Sequence, residues 1–542
     1  MTRRTVYAAA AWGESMSDAD IPARSRVGFA VRRLACIVAT LLFGPGLAVA
    51  PAGAAGLDAA AIEKLLPELE KQVEAGMKAF SVPGVALGIV FDDKLIYAKG
   101  FGQRRAGDAA PVSADTIFQI GSTTKAFFAT TLAQAVDAGT LKWSDPVVDH
   151  LPVFQLADPW VSRDFRILDL AAQRSGLTPY VNDGLTFLGF DTETMIRSLR
   201  VAPQVGIFRS DFRYLNIPHI AGGEIVASVN GDKSWFASLK RMLLDPLGMA
   251  ATSATPEGIE KAENHASGHR LDESPVPIPF HAAFPYAMGP AGALNSNVPD
   301  LSKWLRLQLG RGHFGDKVLI SEANLDVTWT PRVAMSERLS YALGWVIMAT
   351  PRGRVIWHNG GTMGFGAHVG FLPDAGVGLV ILTNIGSSGM ADAVAQWFYD
   401  RVLGNPLVDN VAIGAAVAAT QREREQAELK AFVPGPLPVD DNALAGSYAS
   451  PLLGSATVSV KDGRLQVLLE KTDALLLLEA GKADPNRFQV RLAQTRAFVP
   501  IVAMTGNAPI GTIQFERNIG NRVVGFRFLD PELPHSFARQ AE

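Results

Sequence analysis

Residues 118–141 read FQIGSTTKAFFATTLAQAVDAGTL, and the fold turns on how the lysine in this run is housed. The stretch reads as a short buried strand flowing into a helix over Ala126–Ala138, with Ser122 and Lys125 at the junction. Residues three apart on a helix share a face, so the hydroxyl and the amine can meet. A serine at a helix N-terminus also stands where unpaired N–H groups and the helix dipole favour developing negative charge. A lysine held among apolar neighbours loses hydration, which disfavours its charged form and lowers its pKa towards the range of a base. The plainer alternative is a helix cap followed by an exposed lysine. The S-x-x-K spacing alone does not separate the two readings.

Upstream, Ile62, Leu65, Leu66 and Leu69 recur at helical spacing behind Asp58, which predicts a capped amphipathic helix. GVALGIVFDDKLIYAKGFG then reads as two strands joined at Asp92 and Asp93. Helical patterns such as Ile217–Val229 fill the middle of the chain. Strands return late as YALGWVIM, GRVIWHNG, GAHVGFLPD and VGLVILTN, and a helix is expected over Ala391–Val402. Strands at both ends with helices between them predict that the two ends complete one sheet, so residues 57–404 form a single α+β unit with a second, helical lobe.

Residues 405–440 read as a linker that passes from a charged helix to a Pro-rich stretch. Residues 441–542 alternate apolar and polar with turn signals such as Lys461-Asp462-Gly463, the pattern of an all-β module, a small barrel or sandwich. The N-terminus places Arg32 and Arg33 before a short apolar run that ends in small residues near Ala54. Residues 1–54 therefore read as a signal peptide, the protein as periplasmic or secreted, and stable membrane insertion after its removal is not expected. Cys36 is the single cysteine and lies in that leader, so a mature protein would contain no disulfide. With 50 Lys and Arg against 53 Asp and Glu, the chain has no basic excess to attract nucleic acid.

Three further stretches bear on chemistry. FRYLNIPHIAGGEIV sets Tyr214 and Asn216 two apart just before a helix, suited to projecting a phenol and an amide into a cleft. VIWHNGGTMGFGAHVGFLPD ends a strand on His358 and follows it with Gly360 and Gly361, where a substrate could approach the backbone closely. FRILDLAAQRSGLTPY reads as a helix closing in a structured turn. Over about residues 60–404, the order S-x-x-K (Ser122 to Lys125), Y-x-N (Tyr214 to Asn216) and H-x-G (His358 to Gly360) resembles the penicillin-recognising serine hydrolases, the family of class C β-lactamases, D-aminopeptidases and related esterases. LLDPLGMAATSAT and AGALNSNVPDLSKWL look like that family's connecting segments.

The resemblance implies a β-lactamase/transpeptidase-like sheet flanked by helices, a lipocalin-like C-terminal domain, and acyl-enzyme chemistry with neither cofactor nor metal. Ser122 would attack a carbonyl, Lys125 and Tyr214 would move its proton, and Asn216 would orient them or the substrate amide. The N–H groups of Ser122 and Gly361 would hold the oxyanion, and His358 would line the strand edge, tuning Tyr214 or helping to bind substrate. Whether Lys125 or Tyr214 is the base stays open. A lysine in the third motif helps hold β-lactam carboxylates; a mostly neutral imidazole is a poorer anchor. The implied substrate is thus a short peptide, of the kind taken by D-aminopeptidases or by the peptidase of linearised microcystin, with an ester the alternative and a non-catalytic penicillin-binding sensor a third reading. Oligomeric state is left undetermined.

Other signals carry less. His265 and His269 have metal-like spacing, but no Glu stands between them and Gly268 argues for a loop. GGTMGFG joins two strands, the wrong setting for a phosphate loop, and there is no G-x-S-x-G elbow. Trp357 and Phe365 flank the third motif and suit a pocket wall, with core packing the favoured role for Trp357. Arg174 and Asn182 read as solvated loop residues near the cleft.

Overall fold

A computed structural model describes residues 57–541 apart from residues 387, 407, 438–440, 485 and 507. The expected signal peptide, Cys36 included, lies outside the described residues. The sheet-forming unit is built from strands β1 (Gly84–Phe91), β2 (Lys94–Gly102), β3 (Val333–Ala334), β4 (Leu339–Tyr341), β5 (Val346–Thr350), β6 (Gly353–Gly361), β7 (Gly366–Leu372) and β8 (Val377–Thr383). Their order in the sheet is β2-β1-β8-β7-β6-β5-β4-β3. The two chain ends meet where β1 runs antiparallel to β8, from Val85 opposite Thr383 to Phe91 opposite Val377.

Five helices frame this sheet and the site: α1 (Leu66–Ala79), α2 (Thr124–Asp137), α3 (Ile217–Asn230), α4 (Val298–Leu309) and α5 (Met390–Leu403). All seven residues of β8 are buried, because α4 covers one face of the sheet and α1 with α5 the other. That coverage explains why VGLVILT is a continuous apolar run instead of an alternating one. On the α4 side Trp304 stacks on Phe127 of α2, which ties the sheet to the helical lobe.

Two elements differ from their expected form. The opening helix is broken: Asp58 caps Ala59–Glu63 by accepting the Ala61 N–H at 2.7 Å, and α1 begins afresh at Leu66. Pro67 stands in the first turn of α1, where a missing N–H costs nothing, whereas inside a continuous helix its ring would clash with the preceding turn. YALGWVIM is also not one strand. It turns at Gly344, φ +71°, and divides between β4 and β5, which pair with each other.

The expected linker region holds a 22-residue helix, α6 (Asn410–Ala431), packed on α1 and α5. Beyond it, eight strands from Gly446–Ser450 to Ser536–Arg539 pair in sequence order and close when Tyr448 meets Arg539. Along Ala474–Ala480 buried and half-buried residues alternate, the period of a strand with one face inward. The barrel interior is filled by side chains: Phe526 lies 4.7 Å from Phe537 and 5.2 Å from Tyr448, ring centre to ring centre.

Candidate active site

Helix α2 is buried on every side from Thr124 to Ala135, so it is held by the surrounding core and not by one amphipathic face. Ser122 precedes it in a tight 3-10 turn, Gly121–Thr123. The edge of β6 presses against this turn. Gly121 has φ +51°, and a Cβ there would sit 2.6 Å from the Gly361 nitrogen; a Cβ on Gly360 would sit 1.9 Å from the Ile120 carbonyl oxygen. Only glycines allow that approach, and it brings the Gly361 backbone beside the Ser122 turn.

Lys125 has no solvent exposure. Its Nζ is 3.1 Å from Ser122 Oγ, 2.7 Å from Asn216 Oδ1 and 2.7 Å from the Ala291 carbonyl oxygen. Burial pushes its pKa down to about 7, opposed in part by the Asp183 carboxylate. A neutral amine has two N–H bonds and one lone pair. The Ala291 carbonyl can only accept, and so can Asn216 Oδ1, because the amide's other end donates to Asp183 Oδ2 at 2.6 Å. Two N–H bonds are thereby used, and the lone pair faces the Ser122 hydroxyl.

Tyr214 stands beside Ser122 in the cavity wall, and Lys125 Nζ lies 4.7 Å from the centre of its ring. Burial raises the phenol pKa far above its ordinary value, with neighbouring Ser122 opposing, so Tyr214 keeps its proton. His358 is also buried, 6.3 Å from Tyr214 between ring centres. Its Nδ1–H donates to the Asn359 carbonyl at 2.5 Å, which leaves Nε2 to accept from the Tyr341 hydroxyl at 2.9 Å. Burial, helped by nearby Lys125, lowers the His358 pKa to about 3, so the ring is neutral.

Ser122, Tyr214, Asn216 and His358 line a cavity of about 170 Å³, walled also by Phe212, Phe284, Met288 and Trp357, with Lys125 buried behind them. Lys125 bonds Ser122 and Asn216 directly and lies over the Tyr214 ring; Gly360 and Gly361 lie against the serine turn, and His358 stands one ring beyond Tyr214. On the other face of β6, Asn359 donates to Asp392 at 2.8 Å, and His368 bridges Asp392 (2.7 Å) and Tyr399 (2.9 Å). Asp183, the Ala291 carbonyl, Tyr341 and the Asp392–His368 pair were not legible as site residues. None belongs to a spaced motif; each reaches the site from a loop, a strand or a helix distant in sequence.

The residues set aside have structural explanations. His269 lies in a short strand, Gly268–Leu271, not in a loop, and both ring nitrogens engage backbone: Nδ1 the Asn384 carbonyl at 2.7 Å, Nε2 the Ala106 N–H at 3.0 Å. Phe365 packs edge-on against Phe118 in the core. Trp357 is half-buried, stacks on His368 and faces the cavity, so it is wall as much as core. Arg174 pairs with buried Asp169. Asn182 is completely buried, not solvated.

Compared with known proteins, residues 69–403 match the Beta-lactamase family. The chain is 26% identical over 348 residues to unguisins hydrolase ungD of Aspergillus violaceofuscus (strain CBS 115571), covering 58% of this chain and 61% of that protein. It is 27% identical over 385 residues to penicillin-binding protein 4 of Amycolatopsis lactamdurans, covering 68% of this chain and 93% of that protein. The matched part thus spans about three fifths of the two unguisins hydrolases it resembles, 61% and 60% of their lengths. Among solved structures, the octameric penicillin-binding protein homologue from Pyrococcus abyssi superposes with a TM-score of 0.57 at 22% identity, over 88% of this chain and 100% of that one.

Proposed function

The chain belongs to the beta-lactamase family, and from that premise we propose that it is a serine hydrolase opening amide bonds of short, apolar peptides through an acyl-enzyme on Ser122. The observation that carries the proposal is the buried Lys125 amine 3.1 Å from Ser122 Oγ, with Asn216 Oδ1 and the Ala291 carbonyl each 2.7 Å away to take its N–H bonds. Lys125 takes the serine proton as Oγ attacks the carbonyl carbon. The oxyanion forms between the N–H groups of Ser122 and Gly361. The C–N bond then breaks as the leaving nitrogen receives the proton, relayed from Lys125 through the Tyr214 hydroxyl, which gives one proton while gaining another and never needs to become a free phenolate. Water repeats the sequence on the acyl-enzyme and frees the serine.

Two features support the substrate class. The aromatic and methionine walls favour apolar groups. The third motif offers neutral His358 where a cation would be needed to anchor a carboxylate, which disfavours β-lactam turnover. The hydrolase name carried by the Aspergillus relatives agrees with the reaction class.

One preparation assayed on short L- and D-peptides, p-nitrophenyl esters and a β-lactam tests the reading, with Ser122→Ala as the control. Peptide cleavage that vanishes in the variant is expected. Ester turnover with no peptide cleaved would replace the peptidase with an esterase, and a lasting β-lactam adduct on Ser122 without turnover of anything would make the protein a sensor.

A further inference from the structure

Asn182 is an unusual residue for its place. It is fully buried and has φ +65°, a left-handed backbone that residues bearing a Cβ adopt at a cost. Three hydrogen bonds hold it there. Its N–H donates to the Glu532 carbonyl at 2.7 Å, its Oδ1 bonds His535 Nε2 at 2.9 Å, and its Nδ2 donates to the Ser198 carbonyl at 3.2 Å. Two of the three partners belong to the C-terminal barrel. The next residue, Asp183, accepts from the Asn216 amide, whose other end engages Lys125.

We propose that the barrel is a positioning element of the active site: its 532–535 loop clamps Asn182, which fixes Asp183, which orients the Asn216 amide and so aims Lys125 at Ser122. The inference rests on the hydrolase reading above. The orientation of each link is determined by chemistry. Asn182 Nδ2 points at a carbonyl, so Oδ1 faces the ring and His535 Nε2 carries the donated proton. Burial holds His535 near a pKa of 4, so it meets Asn182 as a neutral ring. The loop itself is anchored by Leu533, 1% exposed.

Among the described residues, this contact leads through Asp183 and Asn216 to Lys125. Elsewhere the barrel docks through Lys471 on Thr194 (2.8 Å) and through the Ala503 carbonyl, which accepts from Arg270 (2.7 Å). Those contacts keep the domains together when the clamp is cut, so the clamp can be tested without undocking. Unclamped, residue 182 relaxes from its left-handed conformation and the carboxylate next to it shifts; displacements near 1 Å in a positioned catalytic group cost about a hundredfold in rate at the upper end.

The test uses the full chain and the best substrate of the panel. His535→Ala is expected to lower kcat about tenfold or more while KM changes less than about twofold, since the apolar walls at Phe212, Met288 and Trp357 lie outside the chain of contacts. His535→Gln, which keeps an N–H donor at similar reach, is expected to restore most of kcat. Val467→Ala in the barrel core is expected to lower Tm and leave kcat intact, which separates positioning from stability. Wild-type kcat in His535→Ala would overturn the clamp, as would a Gln variant no better than Ala, or a Val467→Ala enzyme losing kcat to the same degree. A wild type inert on every substrate of the panel would instead overturn the hydrolase reading.

Discussion

Lys125 and Phe526 are equally hidden from water, one beginning the helix behind the nucleophile and the other inside the barrel, yet burial does different work at the two places. In the barrel, ring packs on ring and removal of apolar surface from water is the whole effect. At the junction, burial falls on an amine, a phenol and an imidazole, and it shifts their proton affinities in the directions that catalysis needs. The same desolvation that stabilises one region tunes the other. Buried polar groups are accommodated there by partners such as those of the Asn216 amide, held between Lys125 and Asp183.

The contrast is broken most severely at Ser122. Ser122→Ala should remove at least about a thousandfold of kcat/KM with Tm nearly unchanged, measured by steady-state hydrolysis and calorimetry. At the barrel pole, Phe526→Ala should destabilise the protein by about 3–5 kcal/mol in denaturant unfolding and leave the kcat of the folded fraction as it was. If Phe526→Ala instead abolished turnover in folded protein, the division between a packing region and a chemical region would fail.

Protons sharpen the comparison further. Lys125 must be neutral to accept the serine proton, and its pKa lies at about 7. Below that value it becomes protonated, so kcat/KM should climb with pH, roughly tenfold per unit on the acid side, and level off above it. His358, lowered to about 3, should add no second rise in that range. The smallest effect is expected from Tyr341→Phe, which leaves His358 Nε2 without its donor. It should cost about 1–3 kcal/mol of stability and reduce turnover only a few-fold, read by urea unfolding beside steady-state rates.

Much of this architecture was legible beforehand. Apolar runs at both ends of residues 57–404 announced a shared sheet, and β1 on β8 is that sheet's closure. Of the five side chains that the three short motifs named, Ser122, Tyr214, Asn216 and His358 stand around one cavity and Lys125 lies directly behind Ser122. What escaped did so for physical reasons. The YALGWVIM run has the composition of a strand, and only the fold makes Gly344 turn it back on itself. Asn182 looks like any polar loop residue until the barrel loop covers it.

Local order along the chain thus determined most of the element types and set Ser122 and Lys125 one helical turn apart, since periodicity and spacing are properties of neighbouring residues. The tertiary structure alone decided what surrounds the Lys125 amine, because Ala291 and Asn216 reach it from positions 166 and 91 residues away. It likewise decided that the barrel's His535 reaches Asn182 across 353 residues of chain. Contacts of that span are products of packing, and no stretch of sequence encodes them by itself.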